Sequence, residues 1–322
     1  MYRKIMNFLE AWKDNEHRKP LILQGARQVG KTYSILEFGR THYENVAYFN
    51  FETHPKLNKT FEENISPDYL IPILSHIAGQ TIVREKTLIV FDEVQLCERA
   101  LTSLKYFCED APDYHIIVAG SLLGVAVNRA KFSFPVGKVD MKTLYPMDME
   151  EFMIACGESV LVEQIKKCFA EDKPLPSALH DAAMQLYRQY LIVGGMPECV
   201  MQFLETKDYI LVRHTQDTIL ASYLNDMSKY NNLNEIKKTR LAYDNITVQL
   251  SKKNTRFQYK LIKKGGRASE FENAIEWLCL SGIVSQVYKV EQIRKPLENY
   301  RDINAFKIYV SDLGLLCAKK DL

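Results

Sequence analysis

The sequence lacks several features that would place a protein at a membrane or outside the cell. It has no apolar run long enough to cross a bilayer, and its first residues lack the apolar core and cleavage site of a secretory signal. These absences predict a cytoplasmic protein with no membrane segment. Strong charge of either sign is also missing, because 42 basic residues face 40 acidic ones. Any nucleic-acid surface must therefore be a local patch.

Cysteine and histidine spacings typical of metal sites are absent as well. The seven cysteines are odd in number, no two have C-x-x-C spacing, and no two of the seven histidines have H-x-x-x-H spacing. The sequence therefore predicts neither a zinc site nor a disulfide framework, and the cysteines are interpreted as reduced, small apolar side chains. The length of 322 residues predicts two or three compact units.

The most informative segment that is present fits the phosphate-binding pattern G-x-x-x-x-G-K-[ST]. The residues predicted to bind a nucleotide are Gly25, Ala26, Arg27, Gln28, Val29, Gly30, Lys31 and Thr32. Gly25 and Gly30 permit backbone angles that a Cβ would disfavour, so that the loop can direct its N–H groups at phosphate oxygens. Lys31 is predicted to contact the β- and γ-phosphates during catalysis, and the Thr32 hydroxyl to ligate Mg²⁺.

Four apolar runs in the first half of the chain predict parallel β-strands. They are Leu21 to Gln24, Val46 to Phe51, Thr87 to Phe91 and His115 to Ala119, with helical segments between them. Continuous apolar strands of this kind are typical of a parallel sheet covered by helices on both faces. Because the phosphate loop follows the first strand directly, the sequence predicts an α/β domain of the P-loop nucleoside triphosphatase class.

Acidic and polar residues follow the third and fourth predicted strands. Asp92 and Glu93 end the third strand, and Ser121 comes just after the fourth. Because ligands bind at the carboxyl ends of parallel strands, all three should lie near the phosphate loop. Asp92 is predicted to hold Mg²⁺ together with Thr32, and Glu93 to orient or deprotonate the attacking water. Ser121 is interpreted as a catalytic sensor of the γ-phosphate, with a helix N-cap as the alternative.

Six ordered motifs give the chain a resemblance to a known family. They are Leu23-Gln-Gly-Ala-Arg-Gln-Val-Gly-Lys-Thr32, Phe91-Asp-Glu-Val-Gln95, Ala119-Gly-Ser121, Leu144-Tyr-Pro-Met-Asp-Met-Glu-Glu-Phe152, Gly194-Gly-Met-Pro-Glu198 and Lys307-Ile-Tyr-Val-Ser-Asp-Leu-Gly-Leu315. Along nearly its whole length the chain resembles bacterial and archaeal AAA-type ATPases with an uncharacterised carboxyl-terminal domain. The resemblance implies ATP and Mg²⁺ as ligands, a P-loop core over residues 1–155 and a helical lid over 156–230. It also implies a winged-helix-like domain and the start of a truncated carboxyl-terminal region over 231–322.

Two departures from the family pattern limit what the resemblance implies. Family members often have an arginine at the end of the segment Phe134-Pro-Val-Gly-Lys138, where this chain has a lysine that cannot make an arginine's planar two-pronged contact. Arg129 and Lys138 are the candidates for a cation on the transferred phosphate. Relatives usually continue into a restriction-endonuclease-like domain, so a chain that stops at Leu322, naturally or by truncation, is expected to have no nuclease activity.

The second half of the chain has mostly helical patterns and one cluster of basic residues. Gly194, Gly195 and Pro197 interrupt the helical pattern, and a β-rich segment runs from Ile283 to Val290. The residues that are candidates for DNA phosphate contacts are Lys252, Lys253, Lys263, Lys264 and Arg267. A solvated basic face is one alternative, and a winged helix that contacts protein is another.

Three functions are open at the level of the sequence. The first is an ATP hydrolase that couples Mg-ATP binding and hydrolysis to a conformational change on a nucleic-acid or protein partner. The second is a slow nucleotide-gated switch, which the lysine at position 138 favours. The third is a DNA-binding regulator with little turnover, for which the nucleotide is a structural ligand. The sequence does not determine the partner or the oligomeric state, although a homo-oligomer would allow an arginine to act in trans.

Overall fold

A computed structural model of the chain describes residues 1–120, 134–229, 233–252 and 256–320. The chain divides into two compact units, Met1–Tyr145 and Pro146–Leu322. Ser121, Arg129 and Lys253 lie outside the described residues. The three-part division predicted from the sequence, with boundaries at residues 155 and 230, stays a prediction.

The first unit is built on a parallel five-stranded sheet. Its strands are β1 Leu21–Gln24, β2 Asn45–Asn50, β3 Thr87–Asp92, β4 His115–Ala119 and β5 Asp140–Thr143. The order across the sheet is β2-β3-β4-β1-β5, and each neighbouring pair is parallel. The four strands predicted from apolar runs are therefore confirmed, with ends that shift by at most one residue. All carboxyl ends lie at one edge of the sheet, where ligands bind in folds of this kind.

Helices cover the sheet of the first unit. They are α1 Ile5–Lys13, α2 Lys31–His42, α3 Leu57–Glu63, α4 Pro67–Ala78 and α5 Glu98–Asp110, with a 3-10 turn at Val94–Leu96. Strands β3 and β4 are buried along their whole length, as expected for central strands covered on both faces. Four rings, those of Phe49, Phe51, Phe61 and Phe91, pack in the core with centroids of contacting pairs 5.6 to 6.0 Å apart.

Strand β5 has no apolar signal in the sequence, because Asp-Met-Lys-Thr is an edge strand with half-buried and exposed residues. It pairs with β1 from Asp140 opposite Leu21 to Thr143 opposite Gln24. Lys138 lies just before β5, at the amino edge of the sheet, where its Nζ is 2.9 Å from Oε1 of Glu109. The phosphate loop follows β1 at the carboxyl edge. Lys138 is therefore not placed beside the phosphate loop of its own chain.

The second unit is mainly helical and ends in an antiparallel hairpin. Its helices are α6 Met149–Ala155, α7 Ser159–Ala170, α8 Ser177–Val193, α9 Pro197–Thr206, α10 Tyr209–Lys229, α11 Leu233–Leu250, α12 Ala268–Leu280 and α13 Leu313–Lys320. The hairpin pairs β6 Val284–Val290 with β7 Arg301–Val310. Beside it, the Phe257 N–H donates to the Phe306 carbonyl at 2.9 Å. Two helices followed by a hairpin are compatible with a winged helix, which stays a prediction.

Three of the motifs that carry the family resemblance meet around Asp312 in the second unit. The carboxylate accepts hydrogen bonds from the N–H groups of Gly195 at 2.6 Å and Leu315 at 2.9 Å. Burial raises the pKa of Asp312, and these backbone donors oppose the rise. The Gly195 carbonyl accepts from the Met147 N–H at 2.7 Å, and a Cβ on Gly195 would overlap the Met147 carbonyl oxygen. The three motifs therefore pack together around Asp312, and this close packing requires glycine at position 195.

The sequence predicts neither a membrane-spanning segment nor a disulfide framework, and the structure provides an observation on each. Within the described ranges, no helix combines the length and the apolar composition that a membrane crossing needs. All seven cysteines lie in described ranges, and each is a free thiol. Burial raises the pKa of Cys97 and that of Cys279 to about 11. They therefore stay protonated at neutral pH, as expected for cysteines that act as small apolar side chains.

His115, the first residue of β4, is a buried histidine enclosed by aromatic side chains. The residue is 4% exposed, its Nδ1 lies 2.8 Å from the Tyr43 hydroxyl, and its ring packs edge-on against Trp12. Its Nε2 has no hydrogen-bond partner among the residues that the structure describes. Burial lowers the pKa of His115 to about 4, and the charges of Arg18 and Lys13 act in the same direction.

Acid is expected to destabilise the first unit through His115. The histidine has a pKa near 6.5 in the unfolded chain and near 4 in the folded one, so stability that is present above pH 6.5 is lost as the pH falls through 4. The full loss amounts to about 3 kcal/mol. Urea unfolding at pH values between about 7 and about 4 measures it. The loss should shrink in His115→Gln and persist in the exposed control His180→Gln. Equal pH dependence in the parent and His115→Gln would contradict this account.

Candidate functional site

The phosphate loop joins β1 to α2 in a conformation that requires glycine at two positions. Gly25 has a φ of 149° and Gly30 a φ of 90°, angles that side chains with a Cβ rarely adopt. A Cβ on Gly25 would also overlap the Leu144 carbonyl oxygen. Helix α2 begins at Lys31, directly after Gly30. Its first backbone N–H groups have no partner within the helix, and they form an anion site with the loop.

Lys31 brings a nearly buried positive charge to this loop. The residue is 8% exposed, and its Nζ donates to the carbonyl oxygens of Gly25 at 2.9 Å and Ala26 at 2.7 Å. Burial lowers the pKa of Lys31 to about 8, although the carboxylates of Glu93 and Asp92 act to raise it. Neutral carbonyl groups do not compensate a buried ammonium charge, and so the position fits an anionic ligand such as a phosphate.

Asp92 and Thr32 place two hard oxygen ligands side by side. Asp92 ends β3, and Thr32 lies in the first turn of α2. The Thr32 hydroxyl donates to Oδ2 of Asp92 at 2.8 Å, and the Tyr48 hydroxyl donates to the same oxygen at 2.7 Å. Burial raises the pKa of Tyr48 to about 12, so that the phenol stays a donor. The phosphate loop and the end of β3 therefore meet, as the sequence predicts.

The oxygen pair fits Mg²⁺ provided that the ligand supplies more oxygens. In the part of the chain that the structure describes, no group of three or more His, Cys, Asp or Glu side chains could hold a metal ion alone. Mg²⁺ usually keeps several waters and takes one or two protein oxygens together with substrate phosphates. Thr32 and Asp92, adjacent to the anion site at Lys31, match that donor set.

Glu93 follows Asp92 in a left-handed conformation, with a φ of 51°. The turn lets its backbone N–H donate to Oδ1 of Asp92 at 2.9 Å, and its side chain is half-buried. The Gln95 carboxamide donates to Oε2 of Glu93. Left-handed backbone at a residue with a Cβ is uncommon, and such residues concentrate at functional sites.

Arg3 contacts the phosphate loop and carries no sequence signal for that role. It is 4% exposed, and its guanidinium donates to the carbonyl oxygens of Val29 at 2.8 Å and Tyr145 at 2.7 Å. The Val29 carbonyl is thereby fixed immediately before Gly30. Arg3 lies far from the loop in sequence, and so only the folded chain reveals the contact.

The remaining predicted site residues either lie outside the described residues or belong to the second unit. Ser121 lies outside the described residues, and its sensor role stays a prediction. The described basic candidates belong to the second unit, where Lys252, Lys263, Lys264 and Arg267 are exposed. Lys263 is paired, with its Nζ 3.3 Å from Oε1 of Glu270.

Two family models match parts of the chain, and solved structures share its fold. Residues 17–153 match the family model of an AAA domain, and residues 184–322 match that of a domain of unknown function, DUF8612. The Walker-type ATPase PABY2304 of Pyrococcus abyssi is a similar solved structure, with 14% identity and a TM-score of 0.58 over 98% of this chain and 94% of that one. The ORC2 protein of Aeropyrum pernix, in ADPNP–ADP complexes, is 11% identical with a TM-score of 0.46, over 99% and 94% of the two chains. A comparison with curated proteins found no match.

The parallel sheet, the phosphate loop and the acidic end of β3 define a P-loop nucleoside triphosphatase fold. Within that class, residues 17–153 match an AAA domain, and residues 184–322 match a domain of unknown function. The resemblance noted from the motifs is thus confirmed. Nucleotide binding is the property that this family implies for the phosphate loop.

Proposed function

We propose that the chain binds Mg-ATP at the phosphate loop and hydrolyses it. Hydrolysis would drive a conformational change on a nucleic-acid or protein partner. The observation that carries the proposal is the hydrogen bond of 2.8 Å between the Thr32 hydroxyl and Asp92. It joins the phosphate loop to the end of β3, so that an anion site, a cation site and a carboxylate lie at one edge of the sheet.

Each side chain has a defined part in the proposed reaction. Lys31 and the loop N–H groups bind the phosphates and stabilise charge on the transferred group. Thr32 and Asp92 hold Mg²⁺, which supplies charge neutralisation at the phosphate oxygens. Glu93 accepts a proton from the attacking water, or orients that water, from its half-buried position next to Asp92. Ser121 keeps its proposed role as sensor of the γ-phosphate.

A slow nucleotide-gated switch is the second candidate function. Two observations favour it: Lys138 lies at the sheet edge opposite the phosphate loop, and Gln95 holds the Glu93 carboxylate. Phosphoryl transfer without an arginine on the transferred group is slow, since such an arginine contributes about 10³ to 10⁵ in rate. An arginine supplied in trans by a second copy would convert a switch into an active hydrolase.

A hydrolysis assay separates these functions. Phosphate release from ATP is measured with Mg²⁺ alone and then with single-stranded DNA, duplex DNA or RNA, over a range of protein concentrations. A partner-driven ATPase predicts release that one of the nucleic acids accelerates, and action in trans predicts a specific rate that rises with protein concentration. Tight ATP binding with almost no release in every condition would favour the switch.

The exposed charges of the second unit limit where a DNA partner could bind. Helix α12, which precedes the hairpin, carries Glu272, Asn273 and Glu276 on its exposed side. In a DNA-binding winged helix, the helix before the hairpin would lie in the major groove between the phosphate backbones, and carboxylates there oppose binding. DNA contact through Lys252, Lys253, Lys263, Lys264 and Arg267 would therefore use the segment before α12 rather than the helix itself. A protein partner is the alternative.

Neutralising two of these lysines tests the DNA proposal. The double variant Lys263→Gln and Lys264→Gln should bind duplex DNA more weakly, with a log–log salt slope reduced by about 2, because each phosphate contact contributes about one unit. The double variant Lys166→Gln and Lys167→Gln, at another exposed lysine pair in the second unit, is the control. DNA affinity indifferent to both salt and the first pair would refute the basic patch.

A cytoplasmic location is also part of the proposal. It is supported by the seven free cysteines, which suit a reducing compartment, and by a reaction that needs ATP and Mg²⁺. No nuclease activity is proposed for this chain.

A further inference from the structure

Tyr48 is a side chain at the cation site that the proposed reaction leaves without a role. It lies on β2, two residues before Asn50, and Asn50 pairs in register with Asp92 of β3. The Tyr48 hydroxyl donates to Oδ2 of Asp92 at 2.7 Å, and the Asn50 carboxamide donates to the Tyr48 oxygen at 3.3 Å. A neighbouring strand thus supplies a hydrogen-bond donor to the proposed Mg²⁺ ligand.

We propose that Tyr48 is a positioning residue for the cation site and fixes the carboxylate of Asp92 for Mg-ATP. This inference rests on the proposed function, because it names a further residue that supports the same site. Tyr48 does not touch the nucleotide or the cation in this role. It acts through Asp92.

The hydrogen bonds around Asp92 show how Tyr48 would fix the orientation of the carboxylate. Oδ2 accepts from both Thr32 and Tyr48, while Oδ1 accepts only from the Glu93 backbone N–H among the residues that the structure describes. The carboxylate is therefore held in one rotation, with Oδ1 able to accept from a cation-bound water. The Thr32 hydroxyl donates its proton to Asp92 and keeps its lone pairs for the cation. Removing the Tyr48 hydroxyl leaves Oδ2 with Thr32 as its one side-chain donor.

The Tyr48 proton is itself oriented by Asn50. The Asn50 Nδ2 donates to the phenol oxygen, and so the phenol hydrogen turns toward Asp92. The Asn50 side chain is anchored at its other end, because its Oδ1 accepts from the backbone N–H groups of Glu52 at 2.9 Å and Thr53 at 3.1 Å. A chain of hydrogen bonds therefore runs from the turn after β2 to the cation site, as in the outer shells that orient metal ligands.

Packing is a minor part of what Tyr48 contributes. The residue is 37% exposed, and its neighbours Ala47 and Phe49 on the same strand are the buried ones. Replacement by phenylalanine retains the ring and removes only the hydroxyl. Tyr33, the third residue of α2, is 58% exposed, so Tyr33→Phe removes a hydroxyl from a residue next to the loop without changing a hydrogen bond to Asp92.

The test compares ATP binding by calorimetry in Mg²⁺ and in a chelator for the parent, Tyr48→Phe and Tyr33→Phe. In Tyr48→Phe, the affinity gained from Mg²⁺ should fall by about tenfold, the lower end of the usual effect of an outer-shell partner. Affinity in the chelator should match the parent, because the phosphate contacts do not involve Asp92. The Mg²⁺ concentration that gives half-maximal binding at fixed ATP should rise by about the same factor.

The outcomes separate this inference from the function on which it rests. If Mg²⁺ raises the ATP affinity of the parent and raises that of Tyr48→Phe by the same factor or a larger one, the role of Tyr48 alone is overturned. A parent that binds no ATP would overturn the proposed function. If Tyr48→Phe does not fold by circular dichroism, Asn50→Ala takes its place. That variant keeps the phenol and should show a smaller loss confined to Mg²⁺, and a loss equal in the chelator would overturn the inference.

Discussion

The Lys31→Ala variant should bind ATP at least about a hundredfold more weakly than the parent chain. A hydrogen bond to a charged group contributes about 1.5 to 3 kcal/mol, and the alanine variant loses such bonds to two phosphates. The lost affinity comes from contacts with the nucleotide and not from contacts within the protein. Among the described residues, Lys31 has only the neutral carbonyl oxygens of Gly25 and Ala26 as hydrogen-bond partners. The ammonium charge is therefore available to the nucleotide.

Calorimetric titration with Mg-ATP measures this effect. Lys105→Ala, at an exposed lysine of the first unit, is the matched control and should bind as the parent does. Circular dichroism and the thermal midpoint establish that both variants fold, which matters because Lys31 also donates hydrogen bonds to two carbonyl oxygens of the loop. Unchanged ATP affinity in a folded Lys31→Ala variant would remove the nucleotide from this loop.

The Glu93→Gln variant should bind ATP normally and hydrolyse it about 10² to 10⁴ times more slowly, the usual contribution of a positioned general base. Glutamine has nearly the same shape, but its amide cannot take a proton from water. The Glu93 backbone N–H still donates to Asp92 after this change, so the cation site is retained. The variant thus removes a chemical step and leaves binding in place.

Phosphate release under saturating Mg-ATP, together with the ATP affinity, separates the two effects. Glu16→Gln is the control, since Glu16 is an exposed carboxylate of the first unit that lies outside the site. Parental turnover in Glu93→Gln would show that another group orients the water. A parent that is already as slow as Glu93→Gln would support the nucleotide-gated switch.

The parts of the fold that follow from local sequence patterns could be predicted. Strands β1, β3 and β4 are buried along nearly their whole length, so their residues are mostly apolar and can be recognised from the sequence. The phosphate loop requires glycine at positions 25 and 30 for backbone reasons, and that requirement leaves a fixed spacing. The acids after β3 could be placed because carboxyl ends of parallel strands share an edge.

Features that depend on tertiary contact had no such pattern. Strand β5 is polar because it forms an edge, and pairing with β1 rather than composition makes it a strand. Arg3 and Tyr48 reach the site from distant segments, and nothing in their neighbours marks them. The motifs around Gly195 and Asp312 contribute to the family resemblance in the sequence. The hydrogen bond between these two residues shows that the motifs serve packing and are not a catalytic signature.

Phosphate release from ATP by the purified parent and by Lys31→Ala, each in Mg²⁺ and in chelator, tests the central claim most directly. We predict release by the parent in Mg²⁺, and none above background in chelator or in Lys31→Ala. Release that persists in chelator, or in folded Lys31→Ala, would contradict hydrolysis at the loop from Gly25 to Thr32, as would a parent that neither binds nor consumes ATP.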